Sequence, residues 1–154
     1  MRKYSEEFCS LIDVYSKNPE VKSMKNYIQH GKISTYEHCV YVAWISFQFN
    51  RKLKIKANEK ELVEAAMLHD FYLYDWHNNP CIRLHGFSHA ACAAENAKKK
   101  FNVSKNVYEA IDSHMWPLNI TRIPRSRIAW VICLSDKYCA LKETLFYRKE
   151  RKYD

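Results

Sequence analysis

Apolar residues recur along this chain every three or four positions, the spacing that places them on one face of an α-helix. The clearest such stretch follows Ser34, where Ile45 and Phe49 fall on one face. Ser34 and Glu37 have the spacing of a capping box, which predicts that a long helix begins here and runs to about Lys52. No segment of strand length shows a convincing alternation of apolar and polar residues. The pattern therefore predicts helices and no strands.

Helix start and stop signals divide the rest of the chain into further helices. The predicted helices run from Ser5 to about Lys17, from Pro19 over a short stretch, from Asn58 to near Tyr72, from Ser88 to Lys100, from Ser104 to just before Trp116, and from Pro124 to about Lys142 or beyond. The segment from Asp75 to Phe87 contains turn-forming asparagines, a proline and a glycine, so it is predicted to be a loop. The expected fold is an all-α bundle of six or seven helices.

The composition agrees with one helical domain. A chain of 154 residues can bury a core without disulfide or metal staples, and 47% of these residues are hydrophobic. Two glycines and four prolines are fewer than a sheet protein with many tight turns requires. The six cysteines form no Cys-x-x-Cys pair, which favours reduced, buried side chains in a cytoplasmic protein. No apolar run is long enough to span a bilayer, so no membrane partner is expected.

Basic residues outnumber acidic ones by 25 to 17, which gives a formal net charge of +8. Such an excess attracts anions, and it favours an anionic small molecule as the ligand. Nucleic acid is a less favoured partner, because no nucleic-acid-binding motif accompanies the charge. Part of the charge lies in residues 143–154, which we expect to form a basic C-terminal tail.

Histidines and aspartates fall on the apolar faces of several predicted helices. A single inward histidine is usually a hydrogen-bonded core residue, but several buried ionisable groups are costly unless they are paired or share a metal ion. The residues that extend apolar faces in this way are His38, His69 with the adjoining Asp70, His89, His114 and Asp136. Imidazole nitrogen and carboxylate oxygen together suit iron, manganese, zinc, nickel or cobalt. The sequence thus predicts a transition-metal site.

The order of these residues resembles the HD superfamily of metal-dependent phosphohydrolases. The matching strings are STYEHCVYVA around His38, AAMLHD ending in His69 and Asp70, and VICLSDKYCALKE around Asp136, so the similarity spans about residues 30–143. The resemblance implies that residues 1–154 form a single HD domain with this core. It also implies that the four motif residues hold one divalent ion.

Two further histidines are similar to those of the two-metal members of that superfamily. His89 and His114 lie between the His-Asp pair and the last aspartate. By this resemblance they hold a second ion and Asp70 bridges the two, with iron or manganese preferred and zinc, nickel or cobalt as alternatives. Leu73 stands where one-metal nucleotidases of the superfamily have a glutamate, and Phe71 where cyclic-dinucleotide phosphodiesterases begin Ile-Gly-Lys. Both departures argue against those subgroups.

The resemblance and the charge together favour hydrolysis of a phosphate ester or anhydride, such as that of a nucleotide, by a hydroxide that bridges the two ions. Asp70 is then the catalytic bridge. His85 is a second catalytic candidate, as an extra ligand, a proton donor or a phosphate contact, and an exposed loop histidine is the alternative. The candidates for binding substrate phosphate are Arg83, Arg122 and Lys137.

Two other classes of function stay open from the sequence. Some two-metal members of the superfamily, resembling the phosphonate-cleaving and inositol oxygenases, use the same ligand set with iron to activate dioxygen. The other class is a non-enzymatic module with structural metals and a basic tail that binds nucleic acid or a protein. Phosphohydrolysis is preferred because it is the commoner chemistry on this scaffold and suits a basic protein.

Overall fold

The computed structural model describes residues 4–75 and 85–150, apart from the side chains of His30, His85, Phe87 and residues 146–150. Seven α-helices form this part of the chain. They are α1 (Glu6–Lys17), α2 (Pro19–Ser23), α3 (Thr35–Lys52), α4 (Glu59–Leu68), α5 (His85–Phe101), α6 (Lys105–Ser113) and α7 (Arg127–Glu150). A short 3-10 helix, Met24–Asn26, follows α2. The prediction of an all-α bundle of six or seven helices is confirmed.

Side-chain caps explain where several helices begin. The Ser34 hydroxyl accepts the backbone N–H of Glu37 at 3.3 Å, and the Glu37 carboxylate accepts the backbone N–H of Ser34 at 2.9 Å, which forms the predicted capping box of α3. The side chains of Ser5, Asn18, Asn58 and Ser104 cap α1, α2, α4 and α6. These caps satisfy N–H groups that have no partner inside a helix, so the start signals located these helices correctly.

The fourth helix is shorter than the sequence predicts. α4 ends at Leu68 instead of near Tyr72, and the chain then turns. Leu73 has a φ of 59°, in the left-handed region that an α-helix does not contain. His69 and Asp70 therefore lie in the turn that follows α4 rather than within the helix. The run of buried residues continues through Tyr72, which is why the apolar pattern extended the prediction past the true end.

The fifth helix begins earlier than predicted. α5 starts at His85, whereas the sequence placed its cap at Ser88 and assigned the residues before it to a loop. His89 consequently lies one turn inside the helix. Its face continues along the helix with alanines, and Ala93 and Ala97 are fully buried. Small side chains let α5 pack closely against its neighbours.

The last helix is longer than the others and bounds one side of the bundle. α7 begins at Arg127 rather than at Pro124, because the hydroxyl of Ser126 accepts a backbone N–H from the first turn at 3.1 Å. The helix continues to Glu150, so most of the range 143–154 that the sequence assigned to a basic tail is helical. Among the described helices, none combines the length and the apolar character that a transmembrane span requires.

A small antiparallel hairpin is the one departure from the all-helical expectation in the described residues. β1 (Ile28–His30) pairs with β2 (Ile33–Ser34), and Gly31 adopts a φ of 61° in the turn between them. The prediction of no strands is wrong here, because strands of two and three residues are too short to show alternation. The hairpin leads directly into α3 and places Gln29 beside the histidine cluster described below.

Candidate metal centre

The structure brings together all six side chains that the sequence singled out as metal ligands. They are His38 from α3, His69 and Asp70 from the turn after α4, His89 from α5, His114 from the end of α6 and Asp136 from α7. Each has at most 9% of its surface exposed. Residues as far as 98 positions apart in the chain thus meet at one point in the core.

Asp70 lies in the middle of this cluster. Its Oδ2 is 3.4 Å from His69 Nε2 and 3.9 Å from His38 Nε2. Its Oδ1 is 3.3 Å from His89 Nε2 and 3.6 Å from His114 Nε2. The two oxygens of one carboxylate therefore face two different pairs of imidazole nitrogens.

Asp136 completes the group on the Oδ2 side. Its Oδ1 is 3.1 Å from His38 Nε2 and 3.7 Å from His69 Nε2. Two ligand atoms that are each about 2.1 Å from a common ion lie about 3.0 to 3.4 Å apart, depending on the coordination geometry. His38, His69 and Asp136 each offer one ligand atom, and these three atoms lie within 4.8 Å of one another. They form a group that could hold a metal ion.

A second group shares His69 with the first and adds Asp70 and His114, whose Nε2 faces Asp70 Oδ1. His69, Asp70 and His114 also offer ligand atoms that lie within 4.8 Å of one another. His89 Nε2 is 3.1 Å from His114 Nε2, so two ring nitrogens point at each other next to the carboxylate. Neutral imidazole nitrogens in this position can share one proton or one ion.

Hydrogen bonds at the outer ring nitrogen orient three of the imidazoles. The Nδ1 atoms of His38, His69 and His114 donate to Glu143 Oε2 at 2.8 Å, Ala66 O at 2.8 Å and Ile111 O at 2.7 Å. Nε2 of each ring consequently points into the cluster, as in metal-binding histidines generally. His69 Nε2 and Asp70 Oδ1 make no hydrogen bond although both are buried. Such atoms cost about 1–3 kcal/mol each when unsatisfied, a cost that coordination to an ion would remove.

The charges of the cluster suit metal ligation at Asp70 and His114, whereas the neighbouring carboxylates raise the pKa of His38 and His69 and favour their protonated forms. Burial raises the pKa of Asp70, but the surrounding imidazoles lower it well below its usual range, so the carboxylate is ionised. Burial and the neighbouring imidazoles lower the pKa of His114 to about 3, so this ring is neutral at pH 7. Burial alone would lower the pKa of His38, but hydrogen bonds to two carboxylates raise it to about 10. A metal ion would therefore displace a proton from His38.

The cluster opens into a pocket of about 610 Å³. Its lining includes four residues of the cluster, Asp70, His89, His114 and Asp136, together with Gln29, Gly86, Met115, Pro117, Leu118, Lys137 and Ala140. A volume of this size accommodates a small molecule. The pocket thus gives access to ligand atoms of the cluster, and apolar side chains form part of its wall.

Gln29 is a polar residue of the site that the sequence did not reveal. Its Nε2 donates to Asp70 Oδ2 at 2.6 Å, and its Oε1 accepts from the Tyr72 hydroxyl at 2.6 Å. Because the ionised Asp70 carboxylate can only accept, the N–H₂ end of the Gln29 amide faces it. A glutamine on a three-residue strand follows no apolar periodicity, so no pattern in the sequence pointed to it.

Glu143 is the second such residue, and a signal for it was present. It is buried and accepts the Nδ1 proton of His38. Glu143 follows Asp136 by seven positions, which are about two helical turns, so both side chains lie on the same face of α7. Following the buried face of α7 two turns beyond Asp136 would have identified Glu143.

The predicted substrate-binding residues are distributed differently. Lys137 lines the pocket, and its ammonium group donates to the backbone oxygen of His114 at 2.9 Å. Arg122 is not brought to this pocket, because it pairs with an aspartate of α6 and lines a separate depression. Arg83 and the side chain of His85 lie outside the described residues, although the next residue, Gly86, lines the pocket.

Comparison with known proteins identifies the family. A family model described as the HD domain matches residues 35–141, a range that contains all six clustered side chains. No curated protein and no solved structure gives a significant match. Because the matched range is more than half of the 154 residues, the chain belongs to the HD domain family.

Proposed function

We propose that this protein is a metal-dependent phosphohydrolase that cleaves a phosphate ester or anhydride. The observation that carries the proposal is the position of Asp70, whose two oxygens face separate pairs of imidazole nitrogens at 3.3 to 3.9 Å. This arrangement fits a carboxylate that bridges two ions. Membership of the HD domain family, most of whose members are hydrolases, supports the same reaction class.

The six side chains divide into two subsites that share Asp70. His38, His69 and Asp136 would hold one ion, and His89 and His114 the other. A set of nitrogen and oxygen donors without sulfur fits iron or manganese, with zinc, nickel or cobalt as alternatives. When bound, two such ions supply a water of lowered pKa and neutralise charge on a phosphoryl group.

The other pocket residues have roles that follow from their positions. The Lys137 ammonium group, which a backbone carbonyl holds at the pocket wall, would bind a phosphate oxygen. Gln29 would orient the Asp70 carboxylate. Met115 and Leu118 would contact the apolar part of the substrate and exclude water from it. His85 remains our candidate for donating a proton to the leaving group, because α5 begins at this residue beside the pocket.

The substrate class follows from charge and size. A net charge of +8 raises the local concentration of anions, and a pocket of about 610 Å³ admits a molecule of nucleotide size. We therefore propose a small phosphorylated molecule as the substrate, with a nucleotide as the first candidate. Nucleic acid remains a less favoured partner.

The direct test is a phosphate-release screen on protein loaded with manganese or iron. Nucleoside mono-, di- and triphosphates and simple aryl phosphates serve as substrates, and chelator-treated protein serves as the control. We expect metal-dependent release of phosphate both in air and under nitrogen. Turnover that consumes dioxygen with iron and stops under nitrogen would overturn the proposal in favour of an oxygenase. Binding of nucleotides without turnover by the metal-loaded protein would identify a ligand-binding module instead.

Replacing Glu143 by glutamine should weaken metal binding by about 10- to 100-fold. The Glu143 carboxylate accepts the Nδ1 proton of His38 at 2.8 Å and makes the opposite nitrogen a better ligand. The measurement is competition for the metal between apo-protein and a chelating dye. Glu109→Gln removes the same charge from a half-exposed glutamate of α6 and should leave the affinity unchanged. Equal affinities for the two variants would contradict the role of Glu143.

A further inference from the structure

α7 carries an apolar stripe on the face turned away from the core. The stripe consists of Trp130, Leu134, Tyr138, Leu141 and Leu145, which are 37, 55, 36, 60 and 55% exposed. The opposite face of the helix is fully buried at Ile132 and Cys139. The described residues that line the metal pocket include none of the five. We propose that two copies of this protein associate through the stripe, with their α7 helices packed antiparallel.

The spacing within the stripe suits a second copy of the same helix. Leu134, Tyr138, Leu141 and Leu145 follow one another at intervals of four, three and four residues, as in the seam of a two-helix contact. These intervals read the same from either end. In an antiparallel pair, Leu134 therefore meets Leu145 of the partner subunit, and Tyr138 meets Leu141 of the partner subunit. Such an interface uses the same surface twice and closes at a dimer.

The exposed apolar area is large enough for a stable dimer. The loop before α7 adds Ile120 and Ile123, which are also exposed. Trp116 of that loop packs edge-on against Trp130 with ring centroids 5.2 Å apart, so the loop and the stripe adjoin. Large side chains bury about 150–250 Å² each, so about 100 Å² for each of these seven partly exposed side chains gives on the order of 700 Å². This area lies within the range of about 600–1,000 Å² that each partner contributes to a standard interface, and it exceeds the apolar patch of about 300–600 Å² that soluble monomers usually expose.

The shape of the stripe suits a partner helix better than a membrane surface. The Tyr138 ring packs against Phe49 of α3 with centroids 5.7 Å apart, and the Lys142 ammonium group lies 4.9 Å from the same ring. The stripe is therefore narrow and bordered by a charged side chain and a neighbouring helix. A helix that lies in a membrane buries a broad apolar face about 5–10 Å deep. A narrow seam with alternating spacing instead fits between two helices.

The first test is the molecular mass of the full chain, purified with its metals, by analytical ultracentrifugation from about 1 μM to about 100 μM. We expect twice the 18.4 kDa of one chain. The double variant Leu134→Glu/Leu141→Glu should weaken dimerisation by at least about 100-fold, because it places charges in the seam. Val14→Glu/Leu53→Glu alters two apolar side chains elsewhere that are somewhat more exposed, and this variant should remain dimeric. Circular dichroism confirms that both variants fold.

The second test is the orientation of the helices by disulfide cross-linking. Leu134→Cys/Leu145→Cys should yield an oxidised dimer more readily than the wild type or either single variant, since the two positions meet only in an antiparallel pair. Ready cross-linking of Leu134→Cys alone would contradict the antiparallel arrangement. A monomer over the whole concentration range, or a dimer that the glutamates do not weaken, would overturn the proposal. A monomer that sediments with anionic lipid vesicles would also overturn the proposal, and it would show that the stripe binds a membrane surface.

Discussion

Replacing Asp70 by asparagine should empty both metal subsites at once and lower phosphate release by more than about 1,000-fold. Each oxygen of the Asp70 carboxylate faces its own pair of imidazole nitrogens, so both subsites depend on this one side chain. Asparagine keeps the shape, but it lacks the negative charge and turns an N–H group toward one of the pairs. The measurement is metal content per chain by elemental analysis of protein purified without chelators or a histidine tag.

A matched control for this change lies on α6. Asp112 is a largely buried aspartate two residues before His114, and its partner is Arg122 in a depression separate from the metal pocket. Asp112→Asn should therefore keep both ions and most of the activity. If Asp70→Asn also kept two ions, the bridging role of Asp70 would be wrong.

Single alanine variants on opposite sides of Asp70 should each lose one ion and retain the other. His38 faces Oδ2 of Asp70, whereas His89 faces Oδ1. We expect about one ion per chain in His38→Ala and in His89→Ala, and activity lower by more than about 100-fold in both, since the reaction requires both ions. Native mass spectrometry counts the ions directly. The control is Cys92→Ala, which changes a residue less than one turn after His89 on α5. This variant should retain both ions.

The outcomes of these two variants separate the subsites. Loss of both ions from His89→Ala would contradict two subsites that can be filled independently. Retention of both ions by His89→Ala would show that another side chain fills this place, and His85 would then be the first candidate. Loss of one ion in each variant, with a different affinity for the remaining one, would support the arrangement around Asp70.

Much of the centre could be predicted because its residues extend apolar helix faces. His38 lies on the same face of α3 as the fully buried Val42, and Asp136 on the same face of α7 as Ile132. Burial fixes which way such a face points, so a polar residue in line with it must lie inside. The capping signals fixed where α3 and α4 begin, and hence the position of these faces along the chain.

Other parts depended on contacts that no local pattern encodes. The bond between Gln29 and Asp70 joins residues 41 positions apart and requires a hairpin of very short strands. Arg122 was expected at the pocket because it precedes α7, but an ion pair with Asp112 directs it to another depression. The end of α4 was overestimated because burial continues through Tyr72 after helical geometry has ended.

The five segments that supply the six clustered side chains have a consequence for how the protein unfolds. His38 and Asp136 are 98 positions apart, so the set of ligands is complete only when α3 and α7 are both packed in the folded bundle. The free energy of metal binding therefore adds to the free energy of global unfolding rather than to that of a local opening. At a metal concentration 100 times the Kd it amounts to about 2.7 kcal/mol for each ion. A chelator would therefore act on this protein much as a mild denaturant does, loosening α3 and α7 together.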